Sequence, residues 1–337
     1  MDLAAAVRAP LRRAADWALA RDYPTAWRGV RLAFRDRAPL PFPDLGALAF
    51  AGVLADRLPQ RPIRVRRLIA AARAEGGLPL AVVGDSHSTH LVRRSRREGR
   101  WLLPLHRLCT GASARGLANP ESAAGAGAAV RAFLALLGET PMPVLFKFGQ
   151  VDLEFVFTFK RLERRAQAFE AAAFEAFAAE TVERYLAFLV EATPAALKPH
   201  ALVAGVFPPA LSDAAWRQGY VNAHIADLHG PADSERLAAR LAELEIPSLA
   251  ERTRLHAGFN ARLYAAARQA GFGVFDGFDS LLGPGGVLAP ALLGRAGGAN
   301  HHLGYRASRG PLVEQLWAAA EEPASAGVPT ERVTAPR

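Results

Sequence analysis

Leu78-Pro79-Leu80-Ala81-Val82-Val83-Gly84-Asp85-Ser86-His87-Ser88 is the stretch that decides how this chain folds. Its first half is an apolar run rich in valine and leucine, the pattern of a strand buried on both faces of a parallel sheet. The run stops at Gly84, where the missing Cβ permits a sharp turn. The following Ser88-Thr-His-Leu-Val-Arg-Arg94 is suited to open a helix. Ser86 is thereby placed at the carboxyl end of a strand and near a helix amino terminus. Open α/β sheets bind ligands at that edge, and backbone N–H groups there stabilise negative charge. A serine in this position is suited to nucleophilic attack, with its own N–H available to an oxyanion. The plainer reading is a serine that caps a helix.

Outward from this stretch, strands and helices alternate. A helix over about 64–75 leads into the central strand through Gly76-Gly77. Trp101 to Leu108 reads as a strand, followed by the loop Cys109-Thr-Gly-Ala-Ser-Ala-Arg-Gly116. Glu121 to Leu137 reads as a helix whose small residues, Ala123 to Ala129, allow close packing. Val144 to Phe148 is a strand ending at Gly149, and Leu162 to Ala192 is one long helix. Ala201 to Phe207 is a strand stopped by Pro208-Pro209. Helices over about 234–244 and 248–270, a last strand Gly273 to Asp276 and a helix ending the segment 303–320 complete the pattern. Such alternation predicts an α/β three-layer sandwich, a central parallel sheet flanked by helices.

Residues 1–60 are expected to form a helical N-terminal extension, with Trp17 and Trp27 as apolar bulk and a break at Pro39-Leu-Pro-Phe-Pro43. Residues 61–320 form the α/β domain, and the Pro- and Ala-rich residues 321–337 read as a disordered tail. The basic run Arg93-Arg94-Ser-Arg-Arg97 is expected on a solvated helix face, and Lys147 at a sheet edge or in solvent.

The 337 residues are 51% apolar, enough for a sizeable core, and carry a formal charge of +9. The arginine-rich balance runs throughout the chain together with Ala, Gly and Pro, and no RNP-like or zinc-finger pattern is present, so nucleic-acid binding is not expected. The single cysteine, Cys109, excludes an intrachain disulfide framework and fits a reducing compartment. No run approaches the roughly 20 apolar residues of a membrane span, and the first residues lack a secretory apolar core. The cytoplasm is the expected location; composition leaves the oligomeric state open.

Four strand ends carry polar residues: Gly84-Asp-Ser-His87, Gly111-Ala-Ser113, Gly149-Gln-Val-Asp152 and the late loop Asn300-His-His-Leu303. In a parallel sheet such ends converge on one edge. Together they make the chain, over roughly residues 78–320, resemble the SGNH, or GDSL-like, hydrolases. The resemblance implies that Ser86 is the nucleophile and that its N–H and that of Gly111, with Gly116 as an alternative, form the oxyanion hole. The family's third block is usually Gly-x-Asn-Asp, but here Val151 takes the asparagine's place and cannot donate, leaving Gln150 as the substitute donor. His302 corresponds to the family's base, with His301 second. The family's acid stands three residues before that histidine, where this chain has Ala299, or Gly298 counted from His301. Three replacements are open. Asn300 could orient the ring through its amide oxygen, Asp276 or Asp279 could reach in, or a backbone carbonyl could leave a Ser–His dyad.

The implied activity is that of a serine ester hydrolase, or an acyl transferase sharing the covalent step. It would act on a small-molecule or O-acylated glycan ester with no cofactor and no metal. Two other classes compete. One is a binding protein that keeps this fold with a decayed site. The other is a metal-dependent phosphoesterase, because Asp85-Ser-His87 is also Asp-x-His after a strand. Against the second, Gln150 stands where that class has an aspartate, and Asn300-His301 comes late in the chain.

Overall fold

The structure is a computed structural model that describes residues 62–122, 125–138, 140–217, 240–241, 243–295 and 297–321. The expected N-terminal extension, almost all of the expected tail and most of the helix expected over 234–244 lie outside the described residues.

The apolar run forms β1 (Gly77–Gly84) at the middle of the sheet. It pairs in parallel with β3 (Arg100–Leu108) on one side and β4 (Val144–Lys147) on the other. β5 (Ala201–Ala204) and β6 (Gly273–Phe275) continue beyond β4, also parallel. The short β2 (Arg96–Arg97) closes the far edge as an antiparallel hairpin with β3. The order is β2-β3-β1-β4-β5-β6. The chain therefore runs outward from β1 to β3 and then returns past β1 to β4. That reversal opens a crevice at the carboxyl ends of β1 and β4, the place where such sheets take ligands.

Helices α1 (Pro62–Ala74), α2 (Ala126–Leu137), α3 (Phe157–Glu163), α4 (Ala171–Ala192), α5 (Asp213–Arg217), α6 (Leu249–Gln269) and α7 (Arg309–Glu321) make up the flanking layers. α4 packs on both α2 and α6, whereas α7 packs on β1 and on the turn that follows it. Ala81, Val82 and Val83 of β1 and Val144, Leu145 and Phe146 of β4 are fully buried, as continuous apolar strands covered on both faces must be. Ser248 caps α6, its hydroxyl accepting from the Glu251 N–H.

Two glycines set close approaches. A Cβ on Gly84 would lie 2.3 Å from the Lys147 carbonyl oxygen and 2.6 Å from Ser88 Cβ. A Cβ on Gly127 would lie 2.0 Å from the Leu117 carbonyl oxygen, so α2 rests directly on the turn Arg115–Ala118. Gly127 gives the close packing expected of the small-residue run, but the helix expected from Glu121 begins at Ala126.

Four expectations are corrected. The helix after Ser86 is only a 3-10 stretch, Ser86–Leu91, capped by Asp85. It ends because Arg93 turns inward: Nε donates to the His90 carbonyl at 2.8 Å, Nη1 to the Tyr305 carbonyl at 2.7 Å and Nη2 to Ser308 Oγ at 2.9 Å. The basic run is therefore no solvated helix face. Arg93 is buried beneath it, while Arg96 and Arg97 are exposed on an edge strand, where charge discourages further pairing. The single helix expected over 162–192 is split into α3 and α4, with Arg165 at φ 55° in the break. Finally, Lys147 is fully buried rather than at an edge.

The Gly84 contact predicts a steep cost for one methyl group. Gly84→Ala should lower unfolding free energy by about 3 kcal/mol, the upper range for overfilling a packed site. Gly285→Ala, whose added Cβ meets nothing within 4 Å, should stay within about 0.5 kcal/mol of wild type. Urea unfolding of the two variants makes the comparison.

Candidate active site

β1 delivers Asp85, Ser86 and His87 to the carboxyl edge, and the segment before α7 delivers Asn300, His301 and His302 to the same place. Ser86 Oγ lies 2.8 Å from His302 Nε2. On the other side of that ring, Nδ1 lies 3.1 Å from Asn300 Oδ1, which also accepts the His302 backbone N–H at 2.9 Å. The backbone contact fixes which way the Asn300 amide points. A backbone N–H only donates, so the Asn300 atom facing it is the oxygen, and the ring nitrogen facing that oxygen carries the proton. With Nδ1 protonated, neutral His302 has its lone pair on Nε2, aimed at the Ser86 hydroxyl. That is the tautomer a general base requires.

Asp85 and His87 repeat the same local unit. Asp85 Oδ1 accepts the His87 backbone N–H at 2.8 Å and faces His87 Nδ1 at 3.2 Å. The two rings then stack, His87 on His302, with centroids 4.5 Å apart and planes 24° from parallel. Burial, followed by the neighbouring His302 and Lys147, pulls the His87 pKa well below its usual value, so this ring stays neutral.

A second Ser–His contact lies nearby, with Ser88 Oγ 2.8 Å from His106 Nε2. Its proton runs the other way. Ser88 donates to the Asp85 carbonyl at 2.6 Å and so accepts from His106. Both residues are buried, and burial lowers the His106 pKa to about 3. This pair is structural; Ser86, by contrast, is partly exposed.

The other expected residues divide. Gly84 pairs with Leu108 at the ends of β1 and β3, and the Cys109 N–H donates to the Gly84 carbonyl at 2.8 Å, so the Gly111 loop lies at the Ser86 edge. Gly111 is exposed with φ +71°. Among the described residues, no acceptor faces the N–H of Ser86 or of Gly111. The Gly116 N–H is spent on Ser113. Gln150 is not free to donate to an oxyanion. Its Nε2 donates to Glu154 at 2.8 Å and to the Phe207 carbonyl at 3.2 Å, and its Oε1 accepts the Phe207 N–H at 2.8 Å. It braces the loops after β4 and β5 instead. Asp276 accepts from the Tyr264 hydroxyl and the Phe278 N–H, each at 3.1 Å, and Asp279 is exposed in the turn beyond. Neither takes up His302 Nδ1; Asn300 does. The His301 carbonyl faces His87 Nε2 at 3.4 Å, and the His301 ring lies edge-on to Phe155, centroids 5.2 Å apart.

Two residues given only ordinary roles by the sequence, Asp152 as a turn cap and Lys147 at an edge or in solvent, support the site. Asp152 sits in a single π turn, Asp152–Val156, and reaches across to the loop after β3. Its carboxylate accepts the Ala114 N–H at 2.6 Å and the Arg115 N–H at 3.2 Å, and burial pushes its pKa up to about 7. Lys147 lies beneath the site, with Nζ 3.4 Å from Gln150 Oε1 and 4.5 Å from the centre of the Phe207 ring. Burial lowers it to about 8, opposed by Asp85 and Glu154. Burial in turn raises Asp85 to about 6, with Lys147 opposing, and Glu154 to about 7.

His87, His301 and His302 have ring nitrogens within 4.8 Å of one another. Two imidazole nitrogens on one zinc ion stand only about 3.4 Å apart. Holding a cation would require the rings to close in and each to give a nitrogen to it, and both His302 nitrogens already face Asn300 and Ser86. Among the described residues, no helix is long and apolar enough to cross a membrane. No family model, curated protein or solved structure matches the chain.

The buried charges give a pH-dependent test. Asp85 rises from 3.8 unfolded to about 6 folded, so its contribution to stability is present at low pH and is lost as pH rises through about 6. Lys147 partly offsets that loss. Lys147→Met should therefore cost about 3 kcal/mol at pH 7, where Lys147 is charged and its loss strands the buried Asp85 carboxylate, and clearly less at pH 5, where Asp85 and Glu154 hold protons. Urea titrations at both pH values decide it; equal losses would contradict the pairing.

Proposed function

We propose that the chain is a serine ester hydrolase, or an acyl transferase using the same first step, of the SGNH kind. One observation carries this reading: Ser86 Oγ, His302 and Asn300 Oδ1 lie in series, with contacts of 2.8 and 3.1 Å and the tautomer set by a backbone N–H. Ser86 Oγ attacks the acyl carbon as its proton passes to His302 Nε2. A C–O bond forms and the carbonyl electron pair moves to oxygen, which the N–H groups of Ser86 and Gly111 receive. The imidazolium then protonates the leaving alcohol oxygen as the ester C–O bond breaks. Water, or a second alcohol in a transferase, repeats the sequence in reverse to free Ser86.

Asn300 replaces the missing acid at a different spacing, two residues before His302 rather than three. An asparagine fills this orienting place on an unrelated fold. As a neutral acceptor it fixes the ring but stabilises the imidazolium less than a carboxylate would. The phosphoesterase reading has less support, because Gln150, which stands where that class has an aspartate, is an amide bound to Glu154 and Phe207. The leaving alcohol remains broad, from small molecules to glycans.

A fluorophosphonate should add once to the wild type and not to Ser86→Ala or His302→Ala, and exhaustive chelation should leave labelling unchanged. With an activated acyl ester, Asn300→Ala should lose at least about 10²-fold in turnover, short of the roughly 10⁴ that follows a wrong tautomer. Asn300→Asp should match or exceed wild type. Ala299→Asp should be neutral, because that residue is exposed and Nδ1 is already held. Labelling of Ser86→Ala equal to wild type would overturn the assignment.

A further inference from the structure

Asn300 and Ser86 meet His302 in the plane of its ring, and a second pair of residues meets its face. The His87 ring is stacked on it, centroids 4.5 Å apart and planes 24° from parallel. Both nitrogens of His87 are met in turn. Nδ1 lies 3.2 Å from Asp85 Oδ1, and Nε2 lies 3.4 Å from the carbonyl of His301, the residue next to His302. His87 is 1% exposed and Asp85 is fully buried, so little water screens this stack. The His301 ring is also near His302, centroids 3.8 Å apart, but it is tilted by 42°.

The carboxylate beneath the stack is only partly compensated. Oδ1 accepts the His87 backbone N–H at 2.8 Å besides facing Nδ1, whereas Oδ2 is buried with no hydrogen-bond partner. Among the described residues, no lysine or arginine lies in ion-pair contact with Asp85, and Lys147 acts on it from farther off. A carboxylate that accepts from Nδ1–H polarises the imidazole. The electron-rich face of such a ring attracts a cation stacked on it. The cation that forms there is the imidazolium of His302. The coupling runs both ways, because a positive His302 draws Asp85 down, against the burial that raises it.

We propose that Asp85 and His87 are a positioning pair for His302, which holds that ring by its face and stabilises the positive charge it gains with the proton of Ser86. The pair supplies from beneath the ring the negative charge that Asn300, a neutral acceptor, does not supply in its plane. The proposal rests on the hydrolase reading for the role of His302 as base, but the coupling among the three residues is present without turnover.

The test is the titration of His302 by nitrogen-15 NMR. Asp85→Asn removes the charge and keeps the contacts, because Asn300 makes the same two to its own histidine. In that variant His302 should bind its proton about tenfold less tightly, the low end for losing a nearby opposite charge, while its neutral form stays protonated at Nδ1. His87→Phe keeps a stacked ring and cuts the link to Asp85. In that background Asp85→Asn should have less than about a third of its effect, the non-additivity of residues that act through one another. The other titratable groups around the pair are His90, His256, His301, Lys147, Asp152, Glu154, Tyr185 and Cys109, and they are the same in all these variants. The reciprocal measurement leaves the pair intact and decides the matter if Asp85→Asn does not fold. Asp85, followed by its carboxyl carbon-13 signal, should titrate at higher pH in His302→Ala than in the wild type. On p-nitrophenyl acetate, the acid limb of kcat/KM should move to lower pH in Asp85→Asn together with the His302 titration. Coupling seen by NMR in a protein that cleaves no ester supports the pair and sinks the hydrolase reading alone. A His302 titration unmoved in folded Asp85→Asn, an equal shift in the His87→Phe background, or an Asp85 titration unmoved in His302→Ala overturns the proposal.

Discussion

The site depends on one steric constraint, the absence of a side chain at Gly84. The carbonyl oxygen of Lys147 lies 2.3 Å from where a Cβ would stand, and the Asp85 N–H donates to that same oxygen at 3.0 Å. β1 can therefore stay hydrogen-bonded to β4 up to its last residue and still turn sharply. The turn sets Asp85 as a cap and Ser86 as the first residue of a 3-10 stretch, whose first N–H groups have no partner within the helix. A larger residue at 84 would push the two strands apart where Ser86 and the buried lysine are both positioned.

The chemistry depends on a local unit used twice. In Asp85-Ser86-His87 and in Asn300-His301-His302, a side-chain oxygen accepts both the backbone N–H and the ring Nδ1 of the histidine two residues on. The geometry is alike, but the environments and the first residue differ. The aspartate unit is fully buried and sits over Lys147, whereas the asparagine unit is partly exposed and faces Ser86. A neutral orienter at the second place avoids a further carboxylate near Asp85, which burial already drives towards protonation. On the proposed hydrolase reading, the cost is a less stabilised imidazolium.

The sheet was legible in the sequence because its strands are buried on both faces and so read as unbroken apolar runs ending in glycine or proline. That Ser86 and His302 would meet was legible from their motifs, and Asn300 was among the residues named for the far side of the ring. Its choice over Asp276 and Asp279 was not legible, since it depends on which oxygen a backbone N–H reaches. Gln150 misled because an amide near the right block offers donors in principle, and only the fold shows them spent on Phe207 and Glu154. Lys147 misled because a charge in a strand usually seeks water. Its flanking Val144-Leu-Phe146 and Phe148 signalled a covered strand, and hence a buried cation needing partners. The basic run after His90 misled for the converse reason: Arg93 finds three acceptors inside the fold.

The central claim is that Asn300 holds His302 with its proton on Nδ1 and its lone pair on Nε2 facing Ser86. Nitrogen-15 NMR of histidine-labelled protein reads this directly, with His302 assigned by its loss in His302→Ala. The account predicts a neutral ring protonated at Nδ1, with Nε2 showing the shift of an unprotonated nitrogen, and a loss of that preference in Asn300→Ala. A His302 ring protonated at Nε2 in the wild type would contradict it.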